Sequence, residues 1–193
     1  MRRSHLLLPA LATAIFAAVS TVQAQRGVAA NEERLESRKP FAAFSESAER
    51  LRDSVVAKAR GSIGTRYKLG GTKPGVGLDC SGLVRYAMSM VDLVLPRTAQ
   101  GQAQVGTEVP KNLSALKPGD VLTFGRGKRI SHVGIYVGDG KMVHASTSKR
   151  RVIETSLSAR SPLIRQWKGV RRLVDAKTAK LRDSVLAFAD SLR

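Results

Sequence analysis

One cysteine and the two histidines that follow the first 24 residues are of the types that could together do covalent chemistry. Cys80 is the only cysteine in the 193-residue sequence. It sits in "GVGLDCSGLVRY", residues 75–86, where a glycine-rich turn enters an apolar stretch of helical period. Asp79 is placed to cap that helix, so free N–H groups and the positive end of the helix dipole would face the sulfur. Both lower a thiol pKa and favour the thiolate, the reactive form. The same N–H groups could hold the oxyanion formed when the sulfur attacks a carbonyl. A buried, inert cysteine in the first turn of a core helix fits this stretch equally well.

A cysteine nucleophile needs a histidine base, and the base needs a polar group to orient it. The sequence offers His132 and His144 on either arm of one expected hairpin. One could be the base and the other the orienter. The rival use of these residues is a metal site, but it would have three ligands at most. Neither C-x-x-C nor H-x-x-x-H spacing is present. No metal and no cofactor is expected.

The hairpin decides whether the two histidines can meet. Side chains alternate faces along a strand, and directly opposed residues share a face. The turn lies in "VGDGK", residues 137–141. A plain two-residue turn at Asp139-Gly140 would place His132 and His144 on opposite faces. A three-residue loop, Gly138-Asp139-Gly140, or an equivalent bulge, sets His144 opposite Gly134 and diagonal to His132 on one face. Diagonal neighbours lie roughly 7–8 Å apart at the backbone, within reach of two imidazoles, and Gly134 leaves room between them. The sequence therefore predicts the three-residue loop or the bulge.

The elements that must position these residues can be read outward from them. "CSGLVRYAMSMVDLV", residues 80–94, predicts a helix offering Leu83, Val84, Ala87, Met88 and Val91 to a core, with Met88 and Met90 as core or near-core fillers. Upstream, Ser45 can cap a helix whose apolar face is Ala48, Leu51, Val55 and Ala59, ended by Gly61 and Gly64. Residues 70–77 are turn chemistry, and 97–119 read as irregular. Short strands are expected at 120–124, 132–137, 141–146, 151–157 and 170–174. Helices first and tightly connected strands after predict an α+β fold with an antiparallel sheet. "LRDSVVAKA" (51–59) and "LRDSVLAFA" (181–189) agree at seven of nine positions. They predict two similar amphipathic helices that dock on one another or on a partner, not a solenoid.

The first residues are laid out as a cleaved export signal. Arg2 and Arg3 precede an apolar run from Leu6 to Ala18, and Val22-Gln23-Ala24 is a small-x-small site. A membrane anchor would need roughly 20 apolar residues, so no transmembrane span is expected. The expected organisation is a signal at 1–24, a polar linker at 25–45, one domain at 46–175 and a helical tail at 176–193. Removing the signal takes away Arg2 and Arg3, which lowers the net charge from +18 to +16. Such a surface favours polyanions: anionic envelope polymers, lipid headgroups or nucleic acid. Export to the periplasm or beyond argues against nucleic acid as the working partner.

With these residues in place, the chain resembles the NlpC-type family of papain-like cell-wall endopeptidases. The blocks that carry the resemblance run in order through about residues 50–175. They are "GTRYKLGG" (64–71), "GLDCSGLVRYA" (77–87), "LPRTAQGQAQVGTEV" (95–109), "LKPGDVLTF" (116–124), "SHVGIYVGDGKMVHAS" (131–146) and "RVIETSL" (151–157). A D-C-S-G tetrapeptide alone would be weak; the ordered series is specific.

The resemblance implies a papain-like α+β fold, with N-terminal helices and the nucleophile helix packed on an antiparallel sheet of five to six strands. It implies hydrolysis of an amide bond in peptidoglycan stem peptides, typically between D-γ-glutamate and a diamino acid. Carried over by position, Cys80 is the nucleophile, His132 the base and His144 its orienter. Tyr67 matches a tyrosine near the oxyanion and substrate site. Asp79 matches a position that in some members binds the peptide's free amino end. Ser81 matches a position lining the groove, and Arg97 in "LPRT" is a weaker candidate for substrate contact. One departure is Leu69, where the family often has an aromatic before the paired glycines. Two other functions use the same residues: an N-acetylmuramoyl-alanine amidase or other acyl-group enzyme on this fold, and a basic envelope-binding protein with a vestigial site.

Overall fold

The computed structural model describes residues 46–158 and 161–191. The chain divides into two units, 1–43 and 44–193, and the described residues all belong to the second. The expected export signal and linker, with the expected Ser45 cap, lie outside the described residues.

Two layers make up this unit. Helix α1 covers 46–60. A two-residue pair follows, β1 (Thr72–Lys73) with β2 (Gly77–Leu78), and then α2 (Cys80–Met88). A short helix α3 (Ala99–Gln102) precedes β3 (Thr107–Val109), β4 (Val121–Arg126), β5 (Arg129–Gly138), β6 (Lys141–Ser146), β7 (Arg151–Ser156) and β8 (Trp167–Arg172). The chain ends in α4 (Ala176–Ser191). The six longer-range strands form one antiparallel sheet in the order β3-β8-β4-β5-β6-β7.

The two sheet faces carry separate apolar clusters. Val121, Val133, Ile135, Val143 and Ala145 pack against Leu83, Val84, Ala87 and Met88 of α2 and against Leu51, Val55 and Ala59 of α1. Leu122, Phe124, Tyr136, Met142 and Val170 form the second cluster on the opposite face, closed by Val109, Leu116, Leu157 and the partly buried Trp167. Alternation along the strands assigns the two sets, since opposed residues share a face.

Several elements differ from the sequence expectation. The helix from Cys80 stops at Met88 and tightens into a 3-10 turn at Ser89–Val91, where Asp92 takes a left-handed φ of 58°. Met88 is buried as expected, but Met90 is 43% exposed because the tightened turn rotates it off the core face. The 97–119 stretch holds α3, β3 and a 3-10 turn whose short lengths give no periodic signal. The repeated "LRDSV" helices do meet, through Ser47 Oγ donating to Asp183 Oδ2 at 3.1 Å, and Ala48, Leu51 and Ala179 share one cluster. Their environments differ: Leu51 is buried while Leu181 is 67% exposed.

Candidate active site

Cys80 is the first residue of α2, and the turn before it is held by glycine backbone and one carboxylate. Asp79 Oδ1 accepts from the Gly82 N–H at 2.7 Å, the N-cap bond that starts the helix. Asp79 Oδ2 accepts from the Gly70 N–H at 2.8 Å, and the Asp79 N–H donates to the Gly71 carbonyl at 3.1 Å. Helix and turn approach so closely that a Cβ on Gly82 would lie 2.0 Å from the Gly71 carbonyl oxygen. Gly82 is therefore demanded by its contact with the turn, and Gly71 by the Gly77 carbonyl oxygen, 2.3 Å from a Cβ built there.

Arg97 completes this side. Its guanidinium donates to both oxygens of Asp79, at 3.1 Å and 2.5 Å, and to Ser81 Oγ at 2.8 Å. Ser81 Oγ donates in turn to Asp79 Oδ1 at 3.2 Å. Five donors thus converge on a carboxylate that is 5% exposed. Burial alone would push Asp79 up, but Arg97 and the N–H groups of Gly82 and Gly70 hold it below its ordinary value. This differs from the carried-over role: an Asp79 so saturated has no oxygen lone pair free for a substrate amine unless Arg97 leaves. Gln102, buried on α3, donates to the carbonyls of Ser81 and Pro96 at 3.0 Å each and ties the "LPRT" segment to the start of α2.

The histidine side rests on the hairpin. The turn is two residues, Asp139-Gly140, not three, and both take left-handed φ values of 52° and 64° as tight hairpin turns require. A bulge between Tyr136 and Gly138 then restores the alternative register: Ile135 faces Val143 and Tyr136 faces Met142, while Gly138 pairs with Lys141. His144 consequently falls opposite Gly134 and diagonal to His132. His132 Nε2 lies 2.9 Å from His144 Nδ1, with the rings edge-on at 89°. A Cβ on Gly134 would sit 3.1 Å from His144 Cβ and 3.0 Å from Met142 Sδ, so the glycine provides the space for the pair.

The pair occupies the sheet face of Phe124 and Met142, not the face on which α2 packs. Cys80 instead reaches β5 at backbone level, where the N–H of Val133, next to His132, is directed at its sulfur. Beside it, β5 bulges at Ser131: Phe124 faces His132, but Gly125 faces Ile130. Bulges of this kind re-aim side chains beside active sites.

The relay extends further than the sequence indicated. His144 Nε2 lies 3.1 Å from Thr155 Oγ1 on β7. Thr155 was visible only as one residue of an expected strand, and nothing in its spacing marks it.

Electrostatically the histidine side is kept neutral. Burial lowers both imidazoles from 6.5 to about 4, with the charge of His144 adding to the effect at His132. The Cys80 thiol moves opposite to the helix-dipole expectation. Burial pushes it above its ordinary value, and Asp79 adds to the rise, against the N–H groups of Val133, Ser81 and Cys80. Burial thus favours the uncharged form of Cys80, His132 and His144 alike.

A groove of about 680 Å³ opens over Cys80. Tyr67, Leu69, Asp79, Ser81, Arg97, Gln100 and Arg129 are among its lining residues. Burial, Cys80 and Asp79 raise the Tyr67 phenol, opposed by Arg97. Leu69, the departure from the resembled pattern, is 82% exposed at the rim. Among the described residues, no group of three His, Cys, Asp or Glu side chains is placed to hold a metal, and no helix is long and apolar enough to cross a membrane.

The pattern of the NlpC/P60 family matches residues 64–172, more than half of the chain. The chain belongs to the NlpC/P60 family. Its sequence is 40% identical over 131 residues to a gamma-DL-glutamyl hydrolase of Bacillus subtilis, covering 65% of this chain and 31% of that protein. It is 39% identical over 130 residues to the murein DD-endopeptidase MepH of Escherichia coli, covering 65% and 47%. The chain thus spans about a third to a half of the length of these curated relatives. Among solved structures, the peptidoglycan hydrolase RipB of Mycobacterium tuberculosis superposes with a TM-score of 0.57 at 30% identity, over 67% of this chain and 68% of that one. The NlpC/P60 domain of the peptidoglycan hydrolase SagA gives 0.54 at 30%, over 63% and 97%. Cys80, Asp79, His132, His144 and Thr155 all lie within the matched residues.

Proposed function

We propose that this protein is an exported peptidoglycan hydrolase that cleaves an amide bond in the stem peptide by cysteine nucleophilic catalysis. The observation that carries this reading is the relay from His132 Nε2 to His144 Nδ1 at 2.9 Å, with the Cys80 sulfur facing the neighbouring Val133 N–H. For His132 to accept the thiol proton at Nδ1, its Nε2 must carry hydrogen and donate to His144 Nδ1. His144 Nε2–H then donates to Thr155 Oγ1, which fixes both tautomers.

The reaction follows from these roles. His132 takes the thiol proton as the sulfur attacks the amide carbon. The N–H groups of Cys80 and Ser81, which face the sulfur in the free protein, support the oxyanion, with Tyr67 at the same groove wall. Collapse breaks the C–N bond, and His132 returns the proton to the departing amine. Water, deprotonated by His132, then hydrolyses the thioester and regenerates the thiol. Asp79, Arg97 and Ser81 hold the turn and the groove wall in place. The substrate is peptidoglycan stem peptide, and the basic surface adds attraction to anionic envelope polymers.

The bond favoured is D-γ-glutamyl to diamino acid, supported by the likeness to a gamma-DL-glutamyl hydrolase. The likeness to a DD-endopeptidase supports a second reading, cleavage of the cross-link. Mass analysis of fragments released from purified sacculi separates the two readings. The expected products are stems cut after glutamate, and none with Cys80→Ala. Stems freed only at the cross-link move the reading to the second bond. Freed lactyl-sugar ends would make the protein an amidase. Inactivity of wild type and variant alike would leave an envelope-binding protein.

A further inference from the structure

The groove's charges do not balance, and the imbalance lies at its far end. Asp79 is the only carboxylate among the lining residues, and Arg97 neutralises it. Arg129 also lines the groove, yet the ion pairs among the described residues do not include it. Arg129 and His132 are three positions apart, so regular alternation would point them to opposite faces. The Ser131 bulge reverses this: Phe124 faces His132 and Arg126 faces Arg129, so Arg129 and His132 share a face.

The segment that carries Arg129 is held, not loose. A Cβ on Gly125 would lie 1.9 Å from the Arg129 carbonyl oxygen, so this close crossing requires glycine. The Ile130 N–H donates to Gln100 Oε1 at 2.8 Å, which ties the strand to α3 across the groove. Backbone fixed on both sides of a cation reduces the ordering cost of binding an anion there.

We infer that Arg129 forms a carboxylate subsite of the groove, selecting substrates with a free carboxylate over the corresponding carboxamide. A γ-linked glutamyl residue always carries an α-carboxyl group beside the scissile amide, either free or amidated, so it supplies the chemistry this subsite takes. Guanidinium pairs with carboxylate through two parallel N–H bonds, and a carboxamide offers one acceptor and no charge. The inference rests on the hydrolase reading for its substrate, but the subsite can be tested apart from it.

The test is calorimetric binding of a synthetic γ-D-glutamyl tripeptide, as acid and as amide, to Cys80→Ala protein. The acid should bind about 10-fold more tightly than the amide, and Arg129→Ala added to Cys80→Ala should erase the difference. Lys128→Ala, which removes the same charge one residue away, should leave the ratio unchanged. Equal affinity for the two peptides, or binding of neither, overturns the subsite, as does an equal effect of Lys128→Ala. Cleavage by wild type without acid preference overturns the subsite and leaves the hydrolase reading intact. Acid preference in binding without cleavage by wild type keeps the subsite and removes the hydrolase reading.

Discussion

Two polar clusters can be set against each other: the one around Asp79 is built from charges that are all partnered, the other from two histidines stripped of water. Asp79 collects five donors, three of them from Arg97 and Ser81, inside a carboxylate burial of 95%. His132 and His144 have each other and Thr155, with Phe124 as the apolar neighbour of His132. The difference separates two tasks. A saturated ion cluster is stable and inert, because every lone pair is already used. A desolvated neutral pair suits the proposed proton transfer, because burial disfavours protonation of both imidazoles.

Exchanging one residue on each side breaks the comparison most sharply. His132→Ala should lower kcat by about 10²- to 10⁴-fold, the usual worth of a general base, while leaving the melting temperature within a few degrees. Asp79→Asn should do the reverse. It removes the charge that Arg97 and the helix N-terminus address, at about 2 kcal/mol of stability, and it affects activity chiefly through loss of groove shape. Steady-state kinetics and thermal unfolding on the two variants measure both axes. A stable Asp79→Asn protein with kcat reduced as far as that of His132→Ala would make Asp79 part of the chemistry and dissolve the distinction.

The two sides were not equally legible in the sequence. Cys80, His132 and His144 stand out because cysteine and histidine are scarce here, and the hairpin register limits how two histidines can meet. The strands were legible to within a few residues because the sheet is covered on both faces, so its central strands read as short, nearly continuous apolar runs. Their ends moved where bulges intervened, at Ser131 and before Gly138, and a bulge leaves no periodic trace. Arg97 and Asp79 lie 18 residues apart, joined by an irregular segment, so nothing local announces the pair. The direction of the Cys80 shift was misjudged for a related reason. The helix N-terminus is visible in "DCSG", but the burial that outweighs it depends on β5, some fifty residues on. In the proposed mechanism the thiolate needed for attack is therefore generated by proton transfer to His132 during the reaction rather than stored beforehand.

Acidification should separate the sides by pH. A histidine whose folded pKa is near 4 rather than 6.5 is neutral in the fold and charged in the unfolded chain between those values. The unfolded state then binds more protons, so stability falls as pH drops through about 6.5 towards 4. Asp79 is held below its ordinary 3.8, so its contribution is intact throughout that window and fades only at lower pH. Melting temperatures should therefore decline from about pH 6.5 in the wild type and stay flat to about pH 4 when both histidines are replaced by glutamine. Asp79→Asn should keep the wild-type slope above pH 4. A wild-type curve flat down to pH 4 would mean that the histidines are not desolvated, and the contrast between the sides would collapse to one of composition alone.

The smallest effect belongs to Thr155, and it tests whether the histidine side is a relay or only a pair. Valine is close to threonine in shape, so Thr155→Val removes the acceptor for His144 Nε2–H with little change in packing. The lost hydrogen bond is worth about 1 kcal/mol, or roughly 5-fold in kcat if it acts on the transition state. A residue that acts through His144 should change kcat and leave KM and the melting temperature unmoved, because the imidazole is reoriented while the groove is not. Thr155→Ser keeps the hydroxyl and should restore the rate. If Thr155→Val keeps full activity while Thr155→Ser loses it, the methyl group rather than the hydroxyl is what matters. Thr155 would then be packing for the second apolar cluster, and the relay would end at His144.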